Sequence, residues 1–316
     1  MSDWLYFSSK YISIILLDNM TEDIDYEQDF FSAARSGFEK LSINEQQSLK
    51  AFVEESILDS GAFKNQSGEE DLYKTSFGVC LNRIMGIDKN SEATTAYLRK
   101  QVDGEGLDYI FITALARAWK FYSHDSLEIG SYSKIAEKLE YNRCSDGLWN
   151  QASGTSFGSI YGTYLAILSY QDLSQGIPDE GKISKGLNNL KSDDGVFGTD
   201  RGAKDGSTPA TAMATTLLHY VEDSYGYCVS WLLKQQHSDG GFLAVSQMPF
   251  SDVQSTVYTV QALKYAAPDE LEKIKGSVES FLMSMKKESG FTGHCKDSYT
   301  DIENTYFALA GLGMIA

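Results

Sequence analysis

Two kinds of segment alternate along the chain. In the first, such as residues 132–139 and 271–278, apolar positions fall three and four apart on an otherwise charged background. That spacing predicts an amphipathic helix with one solvated face. In the second, such as residues 255–263 and 304–312, Ala, Thr and Tyr dominate and charges are scarce all round. A helix of that kind is buried on every side. Between the two lies a turn of Gly, any residue, then an aromatic: Gly61-Ala62-Phe63, Gly147-Leu148-Trp149, Gly195-Val196-Phe197 and Gly240-Gly241-Phe242. Degenerate copies, Glu105-Gly106-Leu107 and Ser289-Gly290-Phe291, fill the gaps. The third positions, 63, 107, 149, 197, 242 and 291, are spaced by 42 to 49 residues. So even a period marks a repeat architecture. Each unit reads as an outer helix, a Gly-aromatic turn and an inner helix, and six units give twelve helices.

The inner helices carry start signals. Asp252 precedes Val253 as an N-cap, and Ser207 or Thr208 precedes Pro209, which suits a first helical turn. Thr300 and Glu303 have capping-box spacing. An open stack of repeats needs polar end caps, whereas the sixth unit runs apolar to Ala316, so a closed ring is expected. The fold class is therefore all-α, a single α/α toroid domain over residues 1–316. Residues 1–40 carry no repeat and are expected to pack across one end.

Composition narrows the function classes. The formal net charge is −17, which disfavours nucleic-acid backbones and basic docking on anionic lipid. The four cysteines, 80, 144, 228 and 295, show no CxxC spacing, so neither a zinc knuckle nor a disulfide framework is expected. The most apolar N-terminal stretch, residues 12–17, is too short for a signal core or a membrane span. A cytoplasmic protein without transmembrane segments is the expectation.

The repeat resembles the prenyltransferase and squalene-cyclase repeat of the terpenoid cyclase and protein prenyltransferase superfamily. The residues that carry the resemblance are Gln235-Gln236-His237-Ser238-Asp239-Gly240-Gly241-Phe242 and the run 301–312, beginning Asp301-Ile302-Glu303-Asn304-Thr305. It spans residues 55–316. The resemblance implies an α/α toroid and three kinds of use: zinc-dependent protein prenylation, protonation-initiated terpene cyclisation, or non-catalytic partner binding. One fold hosts several chemistries, so the site must decide.

In the prenyltransferases, zinc is held by an Asp-x-Cys pair and a later His at two inner-helix starts. Here Asp252-Val253-Gln254 matches only the Asp, and Asn304 stands where the His belongs. Neutral amides are poor zinc ligands, and residues 245–251 lack the basic residues that the pattern uses for diphosphate. No metal is expected. In class II cyclases an Asp-x-Asp-Asp-Thr helix start supplies the proton from its middle acid. Asp301, Ile302 and Thr305 fit this pattern, with Glu303 in the middle place and Asn304 in the last. The reading that follows is a metal-independent cyclase acting on a polyprenyl, isoprenoid substrate. Glu303 is its catalytic acid, and Asp301 and Asn304 orient it. Tyr161, Tyr164, Tyr258, Tyr306 and Phe307 would line a cavity that stabilises carbocations by cation–π attraction, with Asp252 at the same mouth. No organic cofactor is implied; Mg²⁺ enters only with a diphosphate substrate, for which Arg201, Lys204 and Lys296 are the loop cations. The same residues also read as plain structure, with Glu303 as a cap and the aromatics as core. A toroid that binds a partner protein or a hydrophobic ligand without catalysis is the alternative. Class II acids usually lie between two toroids and this chain has length for one, so a lid, a partner chain or a cavity within the barrel is required.

Overall fold

The structure, a computed structural model, describes residues 24–103, 106–122, 129–199 and 201–316. The apolar stretch 12–17 and Glu105 of the second turn lie outside the described residues. Helix α1, Tyr26–Glu39, precedes six helical hairpins: α2 Ile43–Glu55 with α3 Leu72–Met85, α4 Ser91–Asp103 with α5 Tyr109–Tyr122, α6 Ile129–Glu140 with α7 Ile160–Asp172, α8 Ile183–Asn188 with α9 Thr208–Tyr220, α10 Cys228–Lys234 with α11 Val253–Ala266, and α12 Pro268–Ser284 with α13 Ile302–Met314. The odd-numbered helices α3 to α13 form an inner ring in which each packs on the next. Helix α13 returns onto α3 and closes the circle. The even-numbered helices lie outside. This is the toroid expected from the repeat, and none of its described helices is long and apolar enough to cross a membrane.

One hydrogen bond repeats from unit to unit and explains the motif. The backbone N–H of the turn aromatic donates to a threonine hydroxyl one turn into the inner helix. The pairs are Phe63 with Thr75, Trp149 with Thr163, Phe197 with Thr211, Phe242 with Thr256 and Phe291 with Thr305, at 2.9–3.2 Å. The aromatic ring is thereby locked under the inner helix and fully buried. The donor would otherwise be an orphan inside the protein, which is costly. The turn glycine is needed for its conformation as well as its size. Gly240 has φ +94°, and a Cβ there would lie 2.2 Å from the carbonyl oxygen of Ser277. Among the described residues, the second unit, whose turn ends in Leu107, shows no such pair.

Helix α1 crosses the C-terminal end of the inner ring and closes it. Small residues let it approach α13 backbone to backbone. A Cβ on Gly37 would sit 1.9 Å from the carbonyl oxygen of Leu309, and one on Gly313 1.8 Å from that of Ala33. Phe31 stacks on Phe121 of α5 with ring centres 4.4 Å apart, and the Arg83 guanidinium of α3 lies over Phe31. Acidic residues of α1 and its cap meet cations of the ring. Asp25 pairs with Lys120 at 2.7 Å and Glu27 with Arg117 at 2.6 Å; Asp29 binds both Lys264 and Tyr265. The Tyr26 hydroxyl lies 3.0 Å from His219 Nδ1, and the Gln171 amide donates to the carbonyl of Ile24. The inner barrel is therefore shut below by α1 and faces outward only at the N-terminal ends of its helices.

Candidate functional site

At that outward end, four inner helices begin alike. A capping side chain accepts a backbone N–H of the first turn: Asp71 from Lys74, Ser159 from Gly162, Asp252 from Ser255, and Asp301 from Glu303 and Asn304. The buried threonine follows four residues after the cap. The residue two beyond the cap is Tyr73, Tyr161, Gln254 or Glu303, and these side chains converge.

Glu303 is the centre of the convergence. Its Oε1 accepts from the Tyr73 hydroxyl at 2.7 Å and from the Gln254 amide at 2.8 Å. Its Oε2 accepts from the Lys74 ammonium at 2.8 Å, which also reaches Asp301 at 3.0 Å. Burial pulls the Lys74 pKa down, but the Glu303 and Asp301 carboxylates outweigh it and hold it above its ordinary value. Burial, with the charge of Glu303 behind it, pushes the Tyr73 phenol far up. Tyr161 is raised by burial and lies close enough to Tyr73 and Glu303 to feel both. Burial also lifts Asp252, against its two bonds from Ser255.

The capping box expected from Thr300 and Glu303 does not form. Asp301 is the N-cap, so the Glu303 carboxylate is released from capping duty and turns to the mouth. There it accepts three hydrogen bonds, one of them charge-assisted by the Lys74 ammonium. Asn304, expected to orient Glu303, instead faces the loop at Gly293. Tyr73, Lys74 and Gln254 hold Glu303 in its place. Asp301 keeps a double role as helix cap and second partner of Lys74.

The predicted aromatic wall divides. Tyr161 and Tyr258 stay half-buried on the barrel's inner surface. Tyr164 is 3% exposed, and its hydroxyl donates to Gln261 at 2.6 Å. Tyr306 and Phe307 belong to the main core with Phe30 and Phe77. These rings interlock as a floor: Tyr258 packs edge-on against both Tyr164 and Phe307. Tyr73, Tyr161 and Tyr258, each only part-buried, thus form a cup above the packed rings and α1. At its mouth the Lys74 ammonium faces two carboxylates, Asp301 and Glu303.

The residues at the zinc positions do not fit zinc. The Gln254 amide is spent on Glu303. His294 lies near Asp252, but its Nε2 is 3.2 Å from Asp297 and its ring packs on Phe250. Among the described residues no group of three metal-ligating side chains comes together. Of the loop cations, Arg201 lies flat over Phe157, 3.7 Å from its centre.

Sequence reasoning missed Tyr73, Lys74 and Gln254 as members of this cluster. The signal was present. Aligned on the threonines, Asp71-Leu72-Tyr73-Lys74-Thr75 falls on Asp252-Val253-Gln254-Ser255-Thr256 and on Asp301-Ile302-Glu303-Asn304-Thr305. The first unit sits opposite the sixth in sequence but beside it in the ring.

Comparison with known proteins agrees with the toroid fold. The model of the prenyltransferase alpha-alpha toroid domain matches residues 119–226 and 211–316. No curated protein matches the sequence. Among solved structures, a type II terpene cyclase from Scytonema in complex with geranylgeranyl dihydroxybenzoate superposes with TM-score 0.58 at 11% identity, covering 89% of this chain and 97% of that one. Candida albicans protein geranylgeranyltransferase-I complexed with GGPP gives 0.50 at 14% identity, covering 96% and 89%. A polysaccharide lyase gives 0.52 at 10% identity, covering 90% and 97%. At such identities the likeness is one of fold.

Proposed function

The chain belongs to the prenyltransferase alpha-alpha toroid domain family, and from that premise we propose that it takes an isoprenoid-class ligand into the cup of the inner ring, with Glu303 acting at the mouth as an ion-paired carboxylate. The observation that carries this reading is the meeting of part-buried Tyr73, Tyr161 and Tyr258 with Glu303 at the mouth of a barrel shut below by α1. Aromatic faces and a fixed anion favour an apolar ligand, and they favour positive charge developing on it. They disfavour a diphosphate, since the single ammonium is already shared by two carboxylates. The two solved relatives with isoprenoid ligands lend weight to the ligand class. The test is calorimetric titration with geranylgeraniol delivered from cyclodextrin, alongside GC–MS of the incubated mixture. Saturable 1:1 binding is expected, weakened at least tenfold by Tyr258→Trp, which fills the cup. If neither C15 nor C20 prenyl compounds bind or turn over, the reading fails.

A second reading is favoured by the Asp301–Thr305 helix start itself: protonation-initiated cyclisation with Glu303 as the acid. The Scytonema cyclase lends it plausibility, because this chain covers 97% of that one, so a single toroid of this length suffices. Proton donation requires Glu303 to part from Lys74. The two readings predict opposite responses to one change. Lys74→Met raises product formation if Glu303 is the acid. It lowers or abolishes formation if Glu303 works as a held anion.

A further inference from the structure

Below the tyrosines the barrel holds a charged group that the mouth does not use. Arg117, on α5, lies with its guanidinium carbon 4.7 Å from the centre of the Phe77 ring. Its Nε donates to Glu27 Oε1 at 2.6 Å. Among the described residues its two terminal amino groups, which carry most of a guanidinium's N–H donors, make no hydrogen bond. Yet the residue is only 9% exposed. Its charge lies deep, where burial alone would lower its pKa, and Glu27 and Asp172 hold it above the ordinary value. Tyr258, equally deep, also keeps part of its surface open. Open surface on side chains this deep marks room beside Arg117, on the side where Tyr161 and Tyr258 lie. Tyr161, Tyr164, Tyr258 and Tyr306 all lie close enough for the Arg117 charge to act on their hydroxyls.

Buried donors of this strength are rarely left unmatched. The charge balance says what matches them. Glu27 already neutralises Arg117, so a second anion would meet the Glu27 carboxylate at close range with no spare positive charge to offset it. A neutral oxygen accepts from the guanidinium at no such cost. We propose that Arg117 forms an oxygen-binding floor to the cup that takes a carbonyl or hydroxyl group on the inward end of the isoprenoid-class ligand. The inference rests on the cup being the ligand site. It adds that the ligand is oxygenated at the end remote from Glu303.

The test compares farnesal, farnesol and the hydrocarbon farnesene, each titrated into the full chain. One buried hydrogen bond to a charged donor corresponds to an affinity gain of about tenfold or more, so the aldehyde and alcohol are expected to bind that much more tightly than farnesene. The paired variant Glu27→Met with Arg117→Met removes both charges, leaving neither unpaired, and is expected to erase the preference. Arg117→Lys, a smaller change that keeps a charge for Glu27, is expected to narrow it and serves if the paired variant does not fold. Equal affinity for all three probes overturns the proposal: water alone then serves Arg117. So does a preference that survives both variants, which would place the oxygen elsewhere. If farnesene and its oxygenated relatives all fail to bind, the cup reading itself falls and the floor falls with it. Binding of farnesene alongside loss of discrimination would condemn only the floor.

Discussion

The two ends of the inner barrel are both laced with ion pairs, but the pairs do different work. At the closed end, carboxylates from α1 and its cap meet cations from the ring. Asp25, Glu27 and Asp29 face Lys120, Arg117 and Lys264. Each pair joins two separate elements, and Glu27 has lost nearly all contact with water. At the mouth, Lys74 serves Asp301 and Glu303 within the ring itself, with side chains 10–16% exposed. The closed end is a docking interface in which each carboxylate of α1 and its cap is committed to a cation of the ring. The mouth is a cluster with more carboxylates than cations, reached from outside, in which a ligand could replace a partner. Buried charge therefore does not by itself mark a site. What marks one is charge left able to exchange partners.

The largest effect expected from this contrast is at the closed end. Glu27→Ala strands the Arg117 guanidinium in the barrel, and breaking one side of a buried pair costs about 3–5 kcal/mol. Urea unfolding measures it; a loss below about 1 kcal/mol would mean that water reaches Arg117 and that the two ends do not differ. Lys74→Met is the matching change at the mouth. Its partners keep water and the Tyr73 and Gln254 donors, so about 1 kcal/mol is expected. A larger loss than that of Glu27→Ala would invert the comparison. The smallest effect concerns Asp172, at the closed end 3.4 Å from Lys120. Burial, reinforced by the charge of Glu27, raises its pKa well above the ordinary value. The folded chain thus holds this proton more tightly than the unfolded chain. Stability therefore falls as pH rises from the unfolded value toward the folded one. Asp172→Asn should stabilise the protein by about 1 kcal/mol at pH 8, and by much less near pH 3, below both pKa values. Thermal melts across that range give the slope directly.

Much of the frame is legible in the order of residues. The Gly-x-aromatic turns recur because each needs a glycine at positive φ and an aromatic whose N–H meets a helix threonine, and both demands are local. Burial of the inner helices shows as missing charge, again a local property. The start of α13 was legible too, but the role of Glu303 was not. Spacing alone allowed it to cap its own helix, and the choice fell to Asp301 one residue after the helix boundary that Thr300 implies.

What only the tertiary structure decided is which residues face one another across the ring. Tyr73 and Lys74 lie about 230 positions from Glu303 in the chain, and closure of the toroid makes the first unit the neighbour of the last. Glu303, expected as a proton donor, thus gains Tyr73, Gln254 and Lys74 as hydrogen-bond partners. The expected wall residues Tyr164, Tyr306 and Phe307 became floor and core, because α1 fills the far end and presses Phe30 against them. The sequence by itself determined the repeat, the turns and the two classes of helix, since each depends on residues within one turn or one helix. It left open the charge state and the company of every side chain in the cup, since those depend on contacts that exist only once the ring has closed.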